Sequence, residues 1–464
     1  MTHKKLFIVI GLVSLSVGLT NFFSACKKAV ALTEDELNEW YSGGVQTAFN
    51  SGSGAYSQEF NGLPIYKSIL HGMGDAGFEA VFNSDPNQLN YGLGPLYNNV
   101  SCASCHVGDG RGKAPEAGEN LNSLLLRLSI EGTNPHGGPM GAPMFGGQLQ
   151  PRAILGAQVE ANVDVQYTTV NGAYADGETY QLRKPVYTLT NTYTALPANV
   201  LVSARMASPI FGLGLLEAIS AADIQKQADE MDLNQDGISG KVNWVWDVMN
   251  QTYSIGRFGW KAGMPSIIQQ SAGAYNEDMG VTNFIFPVES SIDQPQHALS
   301  KGKQELSDSI LFAVAYYIKT LAVPGRRDVD KPEVKQGKMI FNKVGCNACH
   351  KSYYTTQTDV IYPEVSNQHI FPYTDLLLHD MGDDLSDHRQ DNKASGNEWR
   401  TAPLWGIGLS KTVNGHNNFL HDGRARSLSE AILWHGGEAE KSRLAYKNLS
   451  KADRTALIAF LQSL

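Results

Sequence analysis

Cysteine, positive charge and long apolar runs are all scarce in this sequence. Five cysteines occur in 464 residues, and outside two Cys-x-x-Cys-His stretches only Cys26 is left, so no further pair is available to complete a zinc tetrad. Acidic residues outnumber basic ones by 46 to 37, which argues against nucleic acid as a partner. Beyond residues 6–19 no stretch is apolar enough to cross a bilayer. We therefore expect the rest of the chain to be soluble and at most tethered to a membrane.

The N-terminus has the layout of an export signal. A basic start at residues 3–5 precedes an apolar run over residues 6–19, and two small residues stand immediately before Cys26. The run is too short for a comfortable transmembrane helix and is typical of a signal peptide. The Ser-Ala-Cys ending is similar to the lipobox of bacterial lipoproteins, with a plain secretory signal as the alternative. Residues 1–25 are therefore predicted to be a lipoprotein signal peptide, and Cys26 the lipidated residue.

Two five-residue stretches carry the clearest chemistry. Residues 102–106 (CASCH) and 346–350 (CNACH) each place two thiols three positions apart, followed at once by a histidine. On one helical turn such thiols can each add to a vinyl group of one porphyrin, and the histidine then lies under the iron. An isolated pair is also compatible with a thioredoxin-like site or half of a zinc site. The sequence predicts two covalent c-type haems, attached at Cys102, Cys105, Cys346 and Cys349 and ligated by His106 and His350.

Each attachment site stands in the same succession of predicted elements. Apolar residues at near-helical spacing precede the first site over residues 63–82, and residues 337–345 introduce the second in a similar way. Amphipathic helices are predicted later in the chain, over residues 309–321 and 452–464. A Gly-x-x-x-Phe helix, the motif, a loop and a terminal helix form the usual cytochrome c layout, present twice. We therefore predict a mainly α fold of two cytochrome c-like domains, the first with a long insertion that contains a β-hairpin.

The boundary between these domains is predicted at the Pro-Gly-Arg-Arg stretch, residues 324–327. A second internal repeat supports duplication, because RMASPIFGLGL at residues 205–215 parallels RTAPLWGIGL at residues 400–409. Each copy follows its own haem motif and is expected to cradle the haem edge, with chance similarity of two Gly-rich loops as the alternative. The predicted parts are a tether over 26–60, an N-terminal domain over 61–325 and a C-terminal domain over 326–464.

The insertion of the first domain contains the predicted hairpin. Residues 159–170 and residues 179–190 both alternate between apolar and polar side chains, as half-buried strands do. Asn171-Gly172 between them is a turn signal. The sequence therefore predicts a β-hairpin that turns at residues 171–172.

Asp232, Asn234 and Asp236 match the first half of a calcium loop. Their closely spaced oxygens can converge on one ion, and Gly237 permits the sharp turn that follows. The glutamate expected at the twelfth position is absent, because Asn243 stands there. Calcium binding is therefore one interpretation, and an ordinary polar turn is the other.

The order of motifs along the chain resembles that of a known family. The motifs are residues 92–98 (GLGPLYN), 101–112 (SCASCHVGDGRG), 375–382 (DLLLHDMG), 398–403 (EWRTAP) and 419–428 (FLHDGRARSL). Together they resemble the di-haem oxidoreductase family of peroxidases, also called thiol oxidoreductases, over about residues 60–464. That family is similar in turn to bacterial di-haem cytochrome c peroxidases and to the di-haem enzyme that matures a tryptophan-derived cofactor.

The resemblance implies a division of labour between the two haems. In those relatives the N-terminal haem reacts with peroxide and the C-terminal haem stores or relays electrons, which implies these roles for the haems on His106 and His350. Peroxide chemistry needs an open sixth position on one iron and an acid/base that moves a proton between the two oxygens. We expect Glu160 to be that acid/base, with Gln148 and Arg152 as polar neighbours. Glu160 can instead be a surface carboxylate, and Arg152 can equally pair a haem propionate.

The sequence leaves open which residue, if any, is the sixth ligand of each haem iron. A Gly/Pro-rich loop after the first motif can donate a sixth ligand to the first haem iron, which would make this haem a pure electron carrier. The candidate donors in this loop are His136, Met140 and Met144. For the second haem the peroxidase relatives carry a Met near the His-Asp-Gly segment, where this sequence has Leu420. Met381 is the best substitute, followed by His379 and His421, for which core or supporting roles are the alternative.

These observations predict an exported di-haem oxidoreductase of peroxidase type, lipid-anchored in the cell envelope or periplasm. Its expected partners are an external electron donor or acceptor protein, and hydrogen peroxide or a small oxidisable substrate. A tethered electron-transfer protein without a substrate is one alternative, and a haem oxidase or oxygenase of an organic substrate is another. A fold resemblance does not choose among them, because function depends on the pocket beside the iron.

Overall fold

The computed structural model describes residues 38–300 and 302–464. The predictions on the signal peptide and on Cys26 lie outside these residues. Within them, no helix has both the length and the hydropathy that a membrane span requires.

Helix and strand are mixed throughout the described residues. They account for 29% and 19% of the chain, and the strands form several small sheets. The prediction of a mainly α fold of two cytochrome c-like domains is therefore wrong. The physical reason is that the insertion carries long strands and that many loops pair with each other through two-residue strands, which leave no periodic pattern in the sequence.

Several α-helices begin behind serine caps. Ser266, Ser307 and Ser450 each accept a backbone hydrogen bond from the residue three positions on, which satisfies one of the open N–H groups of the first turn. In chain order the α-helices are α1 Ile65–Glu79, α2 Cys102–Cys105, α3 Leu213–Glu217, α4 Ala221–Gln225, α5 Ile267–Met279, α6 Asp308–Lys319, α7 Pro332–Lys343, α8 Ser410–Asn414, α9 Leu428–Leu433, α10 Glu440–Lys447 and α11 Lys451–Ser463. Short 3-10 helices cover Gly44–Gln46, Val107–Asp109, Pro295–Leu299, Cys346–Ala348, Pro363–Val365, Ile407–Leu409 and Gly437–Ala439.

Most strands pair in twos. They are β1 Thr47–Ala48, β2 Leu96–Tyr97, β3 Leu124–Thr133, β4 Pro139–Met140, β5 Gln148–Leu149, β6 Arg152–Ala153, β7 Asn162–Ala173, β8 Thr179–Thr190, β9 Leu201–Met206, β10 Trp244–Asp247, β11 Thr252–Ile255, β12 Val323–Pro324, β13 Tyr354–Thr355, β14 His369–Ile370, β15 Leu378–Asp380 and β16 Glu398–Arg400. The largest sheet is built on β3, which pairs antiparallel with β4, β5 and β9. Strands β1 and β12 pair in parallel and join the start of the described chain to residues 323–324.

Strands β7 and β8 form the predicted hairpin, paired over their whole length. The prediction of the turn at Asn171-Gly172 is wrong, because these residues lie inside β7 opposite Gln181 and Tyr180. The chain turns instead after Tyr174, whose N–H donates to the Glu178 carbonyl. Arg454 of α11 holds this tip in two ways: it binds Asp176 and Glu178 at 2.8 and 2.7 Å, and it lies over the Tyr174 ring. Docking on the C-terminal half of the chain therefore sets where the hairpin ends.

Two helix pairs cross at glycine. A Cβ added to Gly74 of α1 would lie 2.0 Å from the Ala313 carbonyl oxygen of α6, and one added to Gly337 of α7 would lie 2.0 Å from the Ala456 carbonyl oxygen of α11. Real Cβ atoms do not approach so closely, so both positions need glycine. Helices α1 and α6 in the first half thus repeat the contact of α7 and α11 in the second.

The two Gly-rich repeats also occupy matching places. The N–H of Gly212 donates to the Leu321 carbonyl, just beyond α6, and the N–H of Gly406 donates to the Leu464 carbonyl, just beyond α11. The repeats meet each other as well: Trp405 packs over Gly212, and Phe211 packs over Gly406. The sequence repeat therefore corresponds to two equivalent loops related by the same duplication.

The buried core crosses the predicted domain boundary. One apolar cluster contains Tyr56, Phe211 and Tyr317 together with Trp405 from the second half, and a second cluster surrounds α7 and α11. Tyr56 is 1% exposed, although it falls within the predicted tether. The division into domains at residues 60 and 325 stays a prediction.

Candidate functional site

The first Cys-x-x-Cys-His motif opens a short helix and ends on a histidine fixed by the backbone. Ser101 caps α2 by accepting from the N–H of Ser104. The Nδ1 of His106, at the end of α2, lies 2.7 Å from the Ser208 carbonyl oxygen. Because a carbonyl oxygen only accepts, Nδ1 carries the proton and Nε2 keeps its lone pair. This is the arrangement that metal-binding histidines use.

The second motif repeats this geometry. The Nδ1 of His350 lies 2.9 Å from the Tyr373 carbonyl oxygen. The ring of Phe341 stands behind His350 at 6.3 Å and 56°, and the ring of Phe78 stands behind His106 at 6.1 Å and 56°. Burial lowers the pKa of His106 and lowers that of His350 to about 4. Both imidazoles are therefore neutral at pH 7, which is the form that binds a metal ion.

The four motif cysteines are protonated thiols. Burial raises the pKa of Cys102, Cys105 and Cys346 to about 12, and it also raises the pKa of Cys349. A catalytic Cys-x-x-Cys pair needs a lowered thiol pKa. These surroundings therefore disagree with a thioredoxin-like pair and suit cysteines that end as uncharged thioethers.

A cavity of about 510 Å³ opens beside the first motif, and Cys102, Cys105 and His106 line it. Its volume lies within the range of cofactor sites. Six basic side chains line it against three acidic ones, so the wall favours an anionic ligand. The basic residues are Arg111, Arg127, Arg205, Lys261, Arg389 and Arg400, and the acidic ones are Glu277, Asp278 and Asp391. The donor set, the free Nε2 atom and the charge all fit a haem with two propionates.

Helix α5 supplies one wall of this cavity through a single face. Ile267, Gln270, Ser271, Ala274 and Asp278 all line it, at the three- and four-residue spacing of one helical side. Burial raises the pKa of Asp278, while the Gln148 amide donates to its Oδ1 at 2.6 Å. Sequence reasoning missed Asp278. A carboxylate on the inner face of an amphipathic helix was the signal that could have found it.

Glu160, Gln148 and Arg152 do not themselves line the cavity. Glu160 is completely buried, and its carboxylate accepts from the Gln150 N–H and from the Gln294 amide. Burial raises the pKa of Glu160 to about 8. Gln148 donates to Asn98 and Asp278, which both line the cavity. Arg152 donates to the Leu121 carbonyl at 2.8 Å. The catalytic roles of these three residues stay predictions.

The second motif has a histidine beside it that sequence reasoning missed. His435 lies just beyond α9, and its Nδ1 is 2.7 Å from the Ala431 carbonyl oxygen, so its Nε2 is free to bind a metal. His435 is close enough to His350 to contribute to the lowered pKa of His350. Burial lowers the pKa of His435 as well. Its place at the end of an amphipathic helix was a weak signal, because many helix-end histidines are structural.

The three residues that the sequence suggested as ligands of the second haem each contact other side chains. His379 contacts Asp375 and Glu438 with its two ring nitrogens, at 2.9 and 2.6 Å. Burial alone would lower the pKa of His379, but its hydrogen bonds raise it well above the usual value, so no lone pair remains for iron. His421 stacks on the Trp399 ring at 3.7 Å, and Met381 is half-buried against the second apolar cluster. Met381 as the iron ligand stays a prediction.

The loop proposed to close the first haem reaches the cavity through Asn134, Pro139 and Gly147, but not through its candidate iron ligands. None of His136, Met140 and Met144 lines the cavity. His136 stacks on Trp246 at 4.2 Å, and the two methionines are 37% and 40% exposed. The role of these three residues as sixth ligands of the first haem stays a prediction.

The calcium-type loop is exposed and forms a series of tight turns. Asp232 accepts from the Gly237 N–H, Asn234 accepts from the Asp236 N–H at 2.8 Å, and Asp236 accepts from the Ile238 N–H at 2.8 Å. These bonds suit an ordinary polar turn as well as an ion site, so calcium stays a prediction.

Comparisons with known proteins identify the family. The family model described as "Di-haem oxidoreductase, putative peroxidase" matches residues 37–464. No curated protein matches. Among solved structures, a hydrazine synthase chain from Kuenenia stuttgartiensis under xenon pressure is 20% identical, with a TM-score of 0.23. The match covers 39% of this chain and 65% of that chain, and a likeness at this level carries no argument. The extent of the family match shows that the chain belongs to the di-haem oxidoreductase family.

Proposed function

We propose that this chain is an exported c-type di-haem peroxidase whose first haem reacts and whose second haem relays electrons. The observation that carries the proposal is the contrast between two otherwise matched sites. Behind each histidine the geometry is the same, but His435 stands near His350, whereas the cavity at His106 is lined by Asp278 and Arg127. One site thus has a second imidazole nearby that could bind iron, whereas the wall of the other presents ionisable side chains that could act on a small molecule.

The chain's own residues would hold the two haems. Two thiols and one histidine per motif provide two thioether bonds and one iron ligand. When bound, haem supplies an iron that exchanges electrons and binds small oxygen compounds. The carbonyls of Ser208 and Tyr373 orient the two imidazoles and make them stronger ligands. We assign His435 as the second ligand at the C-terminal site, where it would keep peroxide away from that iron.

Reduction of hydrogen peroxide to two waters consumes two electrons and two protons. The electrons come from an external donor protein. Asp278 lies in the cavity wall with a raised pKa, so it retains a proton to higher pH than an exposed aspartate and suits proton transfer to a peroxide oxygen. Glu160 holds a second proton outside the cavity wall, because its pKa of about 8 keeps it neutral at pH 7. Gln148 positions Asp278 through its 2.6 Å hydrogen bond.

The envelope location belongs to the same proposal. Covalent haem attachment takes place outside the bacterial cytoplasm, and the Ser-Ala-Cys26 stretch is similar to a lipobox. A lipid on Cys26 would tether the protein, although one acyl chain alone holds a protein only marginally. The acidic body would then work beside the membrane with a soluble or membrane-bound redox partner.

Spectroscopy of the purified protein tests the proposal. Acid-denatured protein should retain two haems per chain, and EPR should show one high-spin and one low-spin iron. Peroxide should then perturb the high-spin signal first, and D278N should slow this reaction on the order of 10²-fold. Two low-spin irons that ignore peroxide in every redox state would favour the electron carrier instead. Bound zinc without covalent porphyrin would contradict both functions.

A further inference from the structure

We propose that Arg111 binds a carboxylate inside the first cavity, and that this carboxylate is a propionate of the haem held at Cys102, Cys105 and His106. The inference rests on the proposed c-type haem and goes beyond it, because it assigns the orientation of the haem and a residue that sets its charge. Arg111 belongs to the loop that directly follows the attachment motif.

Two of the three guanidinium nitrogens of Arg111 are buried without an acceptor. The residue is 6% exposed, it lines the cavity, and its Nε and Nη1 atoms have no hydrogen-bond partner. In the described part of the chain, no carboxylate oxygen lies within 4 Å of it. A buried cation without a counter-charge strongly destabilises a fold. The observation therefore points to an anion that enters this cavity.

Aromatic rings hold the guanidinium in place but do not satisfy its N–H groups. The Arg111 Cζ atom lies 5.6 Å from the ring centroids of both Trp260 and Phe419. The Trp260 ring is fixed in turn by its Nε1–H, which donates to the Met206 carbonyl at 2.7 Å. Cation–π contacts stabilise the charge at the ring faces. The N–H edge remains available for a planar, two-pronged acceptor such as a carboxylate.

The other basic side chains of the cavity already have partners. Arg205 and Lys261 bind Asp387, Arg389 binds Asp391, Arg127 lies 3.8 Å from Glu277, and Arg400 donates to the carbonyls of Gly259 and Thr401. A carboxylate that approached one of these groups would compete with an existing contact. Arg205 and Arg389 also keep one unpaired nitrogen each, but each already binds a carboxylate. Among the described residues no carboxylate binds Arg111, so this side chain is the best prepared of the six to accept a new one.

The second half of the chain helps to build this site. Asn414 accepts from the Arg111 N–H at 3.1 Å, and Asn418 accepts from the Ala114 N–H at 3.2 Å. Phe419 follows in the same segment. A propionate on Arg111 would therefore lie where the two haem-bearing halves meet. Its ionised charge would be neutralised there, which raises the potential at which the first iron is reduced, relative to an unpaired propionate.

The experiment compares R111Q and R111K with wild type, all as the full protein with both haems attached. The matched control is R426Q, which removes an exposed arginine whose partner is Glu430. Two signals are recorded for each haem: its reduction potential by spectroelectrochemistry, and its propionate bending band by resonance Raman scattering. R111Q should lower the potential of the first haem and shift its propionate band. It should leave the second haem unchanged, and R426Q should change neither.

R111K keeps the charge but loses the two-pronged geometry, so it should retain the potential and still shift the propionate band. An unchanged propionate band in either Arg111 variant would overturn the proposal. A free anion is the other source of a carboxylate, and acetate titration tests it. Three results together would overturn the propionate assignment: acetate alters the wild-type spectrum, R111Q abolishes that effect, and the propionate band is the same in R111Q and wild type. Loss of both haems from wild type would instead contradict the proposed function.

Discussion

Replacing Glu160 with Gln should make the stability of the protein less dependent on pH. Glu160 is completely buried, and burial raises its pKa to about 8 from a usual value of 4.5. Between these values the folded chain holds a proton that the unfolded chain has lost. Stability therefore falls as pH rises through this window, because unfolding releases this proton and a higher pH favours its release. Glutamine is neutral at every pH and removes this contribution.

The size of the effect follows from the two pKa values. At about 1.4 kcal/mol per pH unit, the whole difference corresponds to about 5 kcal/mol between strongly acidic and strongly alkaline solution. Between pH 6 and pH 9 the carboxyl group alone should cost the wild type about 3 kcal/mol of unfolding free energy. The substitution should fit the site: the Gln294 Oε1 has no partner, so rotation of that amide lets it accept from the new side chain.

The assay is urea unfolding of wild type and E160Q at pH 6, 7, 8 and 9, followed by far-UV circular dichroism. The difference between the two proteins should grow in favour of E160Q by about 3 kcal/mol over this range. E131Q is a suitable control, because Glu131 is exposed on β3 and its replacement should leave the pH dependence of wild type intact. If E160Q and wild type lose stability in parallel, Glu160 is already ionised at pH 6 and the reasoning is refuted.

Three further predictions concern the ligands and the anchor. H435A should convert the second haem to high spin in EPR while M381A leaves it low spin; the reverse result would assign Met381 as the ligand. C26S should release the protein from membranes, and mass spectrometry of the wild-type N-terminus should detect a lipid on Cys26. Chelation should lower the thermal midpoint if the loop at Asp232 binds calcium, since an ion that prefers the folded state stabilises it. An unchanged midpoint without calcium in elemental analysis would leave a polar turn.

Local patterns predicted the elements that flank the motifs. Helices expected over residues 309–321 and 452–464 are observed at Asp308–Lys319 and Lys451–Ser463, because apolar periodicity and a serine cap both act within a few residues. The hairpin was predicted for the same reason, but its turn was not. The turn depends on Arg454, which is distant in sequence and binds the tip. Local signals therefore identify an element more reliably than they place its end.

The overall fold class and the site chemistry depend on contacts between distant segments. Strand β1 pairs with β12 across more than 270 residues of sequence, and such two-residue strands carry no periodic pattern. The pKa of Asp278 is raised mainly because α5 buries this carboxyl group in the cavity wall. His435 approaches His350 from a segment 85 positions later. Residue types at these positions were visible in the sequence, but their partners were not.

The duplicated geometry indicates where functional asymmetry between the haems must arise. On the histidine side the two halves agree closely: a carbonyl holds Nδ1, and a phenylalanine ring stands at 6.1 or 6.3 Å and 56°. Each phenylalanine follows by four residues the glycine at which its helix crosses the terminal helix of that half. Since these glycines fix the same approach in both halves, the proximal surroundings give the two irons no reason to differ. In the proposed function, the difference between a reactive and a relaying haem is therefore assigned to other residues near each motif: His435 near His350, and Asp278 in the cavity beside His106.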